Sequence, residues 1–175
     1  MTRTLRTGTD RWFIVGQLIL VTDKEARHLR LTADRIRDLV PDIVWVESLE
    51  DNVEGGEMLD AFVSRFGRLQ DTLGDKLLPA LLGASQEKTG TQLDNLLRAE
   101  KLGWIDSSER WIEIRWLRNR LVHEYMDSAS DLLQALLAAL ESVDLLVGYQ
   151  QHMTTYAKPF VTTNLQTCQS GRREK

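Results

Sequence analysis

Arg118, Asn119, His123 and Tyr125 fall in one short run within Trp111-Ile-Glu-Ile-Arg-Trp-Leu-Arg-Asn-Arg-Leu-Val-His-Glu-Tyr125. A guanidinium stays charged at any physiological pH and can fork onto two phosphate oxygens. An imidazole titrates near neutrality, so it can take a proton from a nucleophile and return one to a leaving oxygen. Asn119, one turn before His123, can orient the imidazole or contact phosphate. These residue types suit cleavage of a phosphodiester, where positive charge must meet a phosphorane-like transition state.

The segment reads as a helix. With Arg118 as origin, Trp111, Ile114, Leu121, Val122 and Tyr125 fall within roughly 60° of it. An arginine aimed into an apolar stripe requires a carboxylate, a backbone carbonyl or a ligand phosphate beside it. A second face, about 100° to 160° round, carries Ile112, Trp116, Asn119 and His123 and is best covered by another chain. Arg118 and His123 are about 140° apart, so one helix does not aim both at a single point. A two-fold dimer removes that difficulty by lining one cleft with two copies of each.

The elements that must position this helix are legible from capping and periodicity. Residues 1–11 are polar and basic, and 12–21 leave open an extended segment, a hairpin arm or a buried helical turn. Thr22-Asp-Lys-Glu25 predicts the N-terminus of a first long helix, interrupted or kinked at Pro41. Asp51–Gly56 reads as an acidic turn. Leu59, Phe62, Val63, Phe66, Leu69, Leu73 and Leu77 predict a second long helix bent or ended by Pro79, whose Gly67 and Gly74 suit close approach by another helix. A third helix closes near Gly103, and Asp106-Ser-Ser-Glu109 predicts the start of the motif helix. Ser128-Ala-Ser-Asp131 predicts the start of a strongly apolar last helix, and the chain beyond about Thr155 reads as a disordered tail. The expected class is all-α: an antiparallel bundle of four to five helices over residues 22–155, with an N-terminal extension (1–21) and a flexible tail (156–175).

Composition bounds the function. One domain fits 175 residues, and a single cysteine, Cys168, excludes an internal disulfide framework. A net charge of -4 argues against a dedicated nucleic-acid coat protein, so RNA would have to meet a local patch. The apolar run 12–21 is too short to span a bilayer as a helix and lacks a cleavage site, so a cytoplasmic, non-membrane protein is expected. His28 and His152 lack metal-ligand spacing to His123 or Cys168, and neither a P-loop nor a dinucleotide fingerprint is present, so neither a metal nor a cofactor is expected.

Arg118-Asn-Arg-Leu-Val-His123-Glu-Tyr125 resembles the R-x4-H-x-Y signature of the HepT-like toxins of the HEPN superfamily, and the resemblance extends over roughly residues 25–150. It implies a HEPN-like helical homodimer with a metal-independent ribonuclease site built from paired Arg118 and His123, supported by Asn119. It further implies toxin–antitoxin function, with Tyr125 the acceptor on which a partner nucleotidyltransferase antitoxin places AMP (AMPylation).

Plainer readings stand beside these. Arg118 could pair with a carboxylate such as Asp38 or Glu47, and His123 could meet helix-end carbonyls. Tyr125 could pack with a wet hydroxyl, and Trp104, Trp111 and Trp116 could be core or interface aromatics. The competing function is a non-catalytic helical protein of the same fold that binds a nucleotidyltransferase or its substrate.

Overall fold

A computed structural model describes residues 8–124 and 128–170, and among these every regular element is helical. The order is α1 (Gly8–Asp38), α2 (Ile43–Glu47), a 3-10 turn (Ser48–Glu50), α3 (Val53–Asp71), a π-helical turn (Thr72–Leu77), α4 (Leu78–Ala84), α5 (Gln92–Lys101), α6 (Ser108–Glu124) and α7 (Ala129–Ser170). The chain forms two compact units. One comprises residues 1–23, 72–108 and 149–175; the other comprises 24–71 and 109–148 and contains the motif helix.

Helix α1 starts well before Thr22. Trp12, Val15, Thr22, Ala26, Leu29, Ala33 and Ile36 are all buried, a spacing of three and four that runs unbroken once Ile19 is included. Thr22 is a helix-interior residue whose hydroxyl donates to the Ile19 carbonyl at 3.1 Å, which lets a polar side chain sit in the buried stripe. Residues 12–21 are therefore helical, and the boundary expected at residue 22 falls inside α1.

Pro41 does end that helix. The residue before a proline is disfavoured in the right-handed helical region, and Val40 sits at φ +49°, an unusual place for a β-branched residue. Asp42 then caps α2 by accepting the Trp45 amide at 2.8 Å. Pro79, by contrast, does not end its helix. Lacking an N–H, it sits in the first turn of α4 directly after the wide π-turn, which takes up the missing ladder bond.

Helix α5 has a full capping box. Thr91 accepts the Asp94 amide at 3.2 Å, and Asp94 accepts the Thr91 amide at 3.0 Å. At its other end Gly103, at φ +72°, closes a Schellman motif, with Gly103 N–H donating to Glu100 and Trp104 N–H to Ala99.

Ser128 caps α7 as expected, but α7 continues through Pro159 to Ser170, so the boundary drawn at 155/156 also lies within a helix. Aromatic packing accounts for the continuation. Trp12 stacks on Phe160 with ring centroids 4.7 Å apart, and Tyr156 meets Trp104 at 4.9 Å. Two threonines of this stretch, expected to be disordered, return their hydroxyls to the helix, Thr162 to Lys158 and Thr163 to Pro159, both at 2.9 Å.

The stretch 129–163 of α7 is long and apolar enough to cross a membrane by length and composition alone. Half of its most apolar window is buried against the rest of the chain.

Candidate functional site

Helix α6 is seated by its neighbours in both directions. At its N-terminus the Glu100 carboxylate accepts the Ser108 amide at 2.9 Å and the Ser108 hydroxyl at 2.6 Å. These two bonds hold the Glu100 carboxyl below the ordinary carboxylate range. A depressed carboxylate contributes stability that is present above its unfolded pKa and lost as pH falls through its folded pKa. Glu100→Gln is therefore expected to lower stability at neutral pH, with the deficit shrinking as pH falls, so that the acid limb of the stability–pH profile is flattened. Urea midpoints across acidic pH check this, and an acid limb identical to wild type would refute it.

Further along, Trp111, Ile114 and Leu121 are fully buried and fix the rotation of α6. Arg118 lies in the same angular sector, yet its side chain is 40% exposed. The route outward is provided by Gly67 of α3. A Cβ at that position would lie 3.2 Å from the Arg118 Nε and 3.4 Å from its Cγ, so the stem of the arginine occupies the space left by the missing methyl. The guanidinium emerges beside Asp71, one turn on in α3, with Nη2 3.6 Å from Oδ2. Its Nη1 donates to Asn119 Oδ1 at 3.1 Å.

The expected carboxylate thus exists, supplied by Asp71 of α3 and not by Asp38 or Glu47. With both partners about half exposed, this is a surface pair worth at most about 1 kcal/mol, and a phosphate can displace it. Asn119 is occupied in orienting the arginine.

The second face of α6 is open. Trp116 is 70% exposed and Ile112 is exposed beside it on this face, while Val122, on the Arg118 side, is exposed as well. Trp104 and Trp111 are core residues, so the three tryptophans near the motif divide two to one between core and surface. His123 lies on the last turn of α6, one turn beyond Asn119. Tyr125 lies outside the described residues.

Sequence reasoning missed Gln70. It is buried in α3 next to Asp71, and among the described residues neither its amide oxygen nor its nitrogen has a hydrogen-bond partner. A glutamine in the helical register of Phe62, Phe66 and Leu69 was the available signal. Among the described residues no three His, Cys, Asp or Glu side chains come together in a way that could hold a metal ion.

No protein-family model matches the chain, and no curated protein or solved structure does so either.

Proposed function

We propose that this chain is a HepT-like, HEPN-type ribonuclease toxin, acting in the cytoplasm as a homodimer without a metal or other cofactor. The observation that carries the reading is the motif's setting. Arg118 and Asn119 are coupled on a single helix, with the guanidinium half exposed and, among the described residues, held by the Asn119 amide and an exchangeable surface pair with Asp71. The exposed Trp116 and Ile112 support a second copy as the cover for the face that carries His123.

In this mechanism one His123 takes the proton of the ribose 2′-hydroxyl, whose oxygen attacks the adjacent phosphorus. The bond from phosphorus to the 5′-oxygen breaks, and the second copy's His123 protonates the departing oxygen, leaving a 2′,3′-cyclic phosphate. The paired Arg118 side chains bind the non-bridging oxygens as charge builds on them. AMPylation of Tyr125 by a partner nucleotidyltransferase antitoxin would place negative phosphate beside the same cations and exclude RNA.

The test is cleavage of purified RNA in EDTA. Wild type is expected to cut and His123→Ala to be inactive while retaining its fold; cleavage by both proteins discards the proposal. Trp116→Glu, which places a charge on the open face, is expected to yield a monomer by sedimentation and to lose activity with it.

The net charge of -4 favours one competing reading, a non-catalytic helical protein of this fold that binds a nucleotidyltransferase or its substrate. It predicts a stable complex with such an enzyme and no RNA cleavage.

A further inference from the structure

We infer that the groove between the end of α1 and the middle of α7, within the unit that carries α6, is a docking surface for a basic, amphipathic segment of a partner protein. The inference is independent of any nuclease activity.

The groove has a volume of about 480 Å³ and is lined by Arg37, Val40, Pro41, Leu137, Leu140, Glu141 and Asp144. Its apolar lip faces water: Val40 is 78% exposed and Leu137 42%. Val40 is also held at φ +49°, a left-handed conformation that costs a β-branched residue on the order of 1–2 kcal/mol. Two unfavourable features therefore coincide at one residue, a strained backbone and an uncovered side chain. Ile43 and Val44, three and four residues on in α2, are exposed as well. A partner side chain packed between Val40 and Leu137 removes this apolar surface from water.

Charge selects the kind of partner. Asp38 and Asp42 flank the lining residues Val40 and Pro41 in the chain, and the stretch from Asp38 to Ser64 has no lysine, arginine or histidine. Glu141 adds another carboxylate on the α7 side of the groove. The one cation in the lining, Arg37, is already committed: it donates to the Leu140 carbonyl, pairs with Asp34 at 3.0 Å and approaches Asp144 at 3.7 Å; Asp144 is itself paired with Arg30 at 3.5 Å, which leaves Glu141 as the lining carboxylate facing a partner. RNA, a polyanion, is repelled from such a face. A symmetric second copy would set the same carboxylates against one another. A segment with leucine-like residues on one side and lysine or arginine on the other satisfies both the groove and its rim.

The experiment uses the full chain and a fluorescent synthetic peptide with leucine at every third and fourth position and lysine elsewhere, read by anisotropy. The lysine peptide is expected to bind with a Kd that rises with salt, and its glutamate counterpart at least about tenfold more weakly. A scrambled lysine peptide, identical in charge but without the apolar stripe, is expected to lose about as much. The double variant Val40→Gly/Leu137→Asn removes both apolar contacts without changing charge. Because glycine relieves the strain at position 40, the variant keeps its helical spectrum and melting transition. It should bind the lysine peptide about tenfold more weakly than wild type. Equal binding by wild type and variant, or equal binding of the scrambled peptide, overturns the inference. It is likewise overturned if the substitutions dissociate a wild-type oligomer, since the groove would then belong to a second copy.

Discussion

Replacing Arg118 with alanine is expected to slow RNA cleavage by about 10²–10³-fold, the usual loss when one preorganised donor to a developing oxyanion is removed. Its stability should stay within about 1 kcal/mol of wild type, because the ion pair lost among the described residues is a half-exposed one. The contrast between the two readouts is the point of the prediction. A buried structural arginine would cost several kcal/mol on truncation, whereas this one reaches past Gly67 to the surface. Arg118→Lys separates charge from geometry: the ammonium keeps the positive charge but not the planar fork, so partial activity is expected. The measurement is the initial rate on an RNA oligonucleotide together with urea unfolding. An alanine variant that cuts at the wild-type rate removes Arg118 from the mechanism.

The second large effect is one of stability. Gln70→Met should stabilise the protein by about 1–3 kcal/mol, the range associated with leaving a buried polar group without a partner. Methionine keeps roughly the length of the side chain and satisfies the apolar surroundings without an amide to desolvate. At about 2–4 °C per kcal/mol for a chain of this size, the gain is readable as a rise in melting temperature. A fall would show that the amide is satisfied in solution, by water or by a partner. A rise accompanied by loss of RNA cleavage would show that position 70 is kept polar for the site beside it, since the next residue, Asp71, pairs with Arg118.

The helical class was legible because the apolar residues of α3 and α7 recur at intervals of three and four, and the cap at Ser128 uses a residue whose side chain accepts a backbone amide; the caps at Asp42 and Thr91 work the same way but were not read from the sequence. The ends of the long helices were not legible, and the reason is specific. Thr22, Thr162 and Thr163 have the composition of caps and loops, yet each returns its hydroxyl to a carbonyl three or four residues back. Nothing local in the sequence distinguishes a threonine that caps from one that back-bonds; what carries α7 past them is the packing of its aromatic residues, Phe160 on Trp12 and Tyr156 on Trp104.

At the motif, the need for a carboxylate, a backbone carbonyl or a phosphate near Arg118 followed from its place on one helix, although the side chain proves 40% exposed. Which carboxylate could not follow, because Asp71 is brought there by the packing of α3 on α6. Gln70 was missed for a related reason: its position on α3 suggested burial, but an orphaned amide is visible only once all its neighbours are placed.

The notch at Gly67 ties two distant positions of the chain into one unit of selection. A side chain at 67 crowds the arginine's stem, so the bulkier it is the further Arg118 must shift from its place beside Asp71. Substitutions that look harmless one at a time, a valine in a helix interior or a lysine-length chain on a surface, should therefore be tolerated or rejected together, and random mutagenesis scored for function should recover 67 and 118 as a coupled pair.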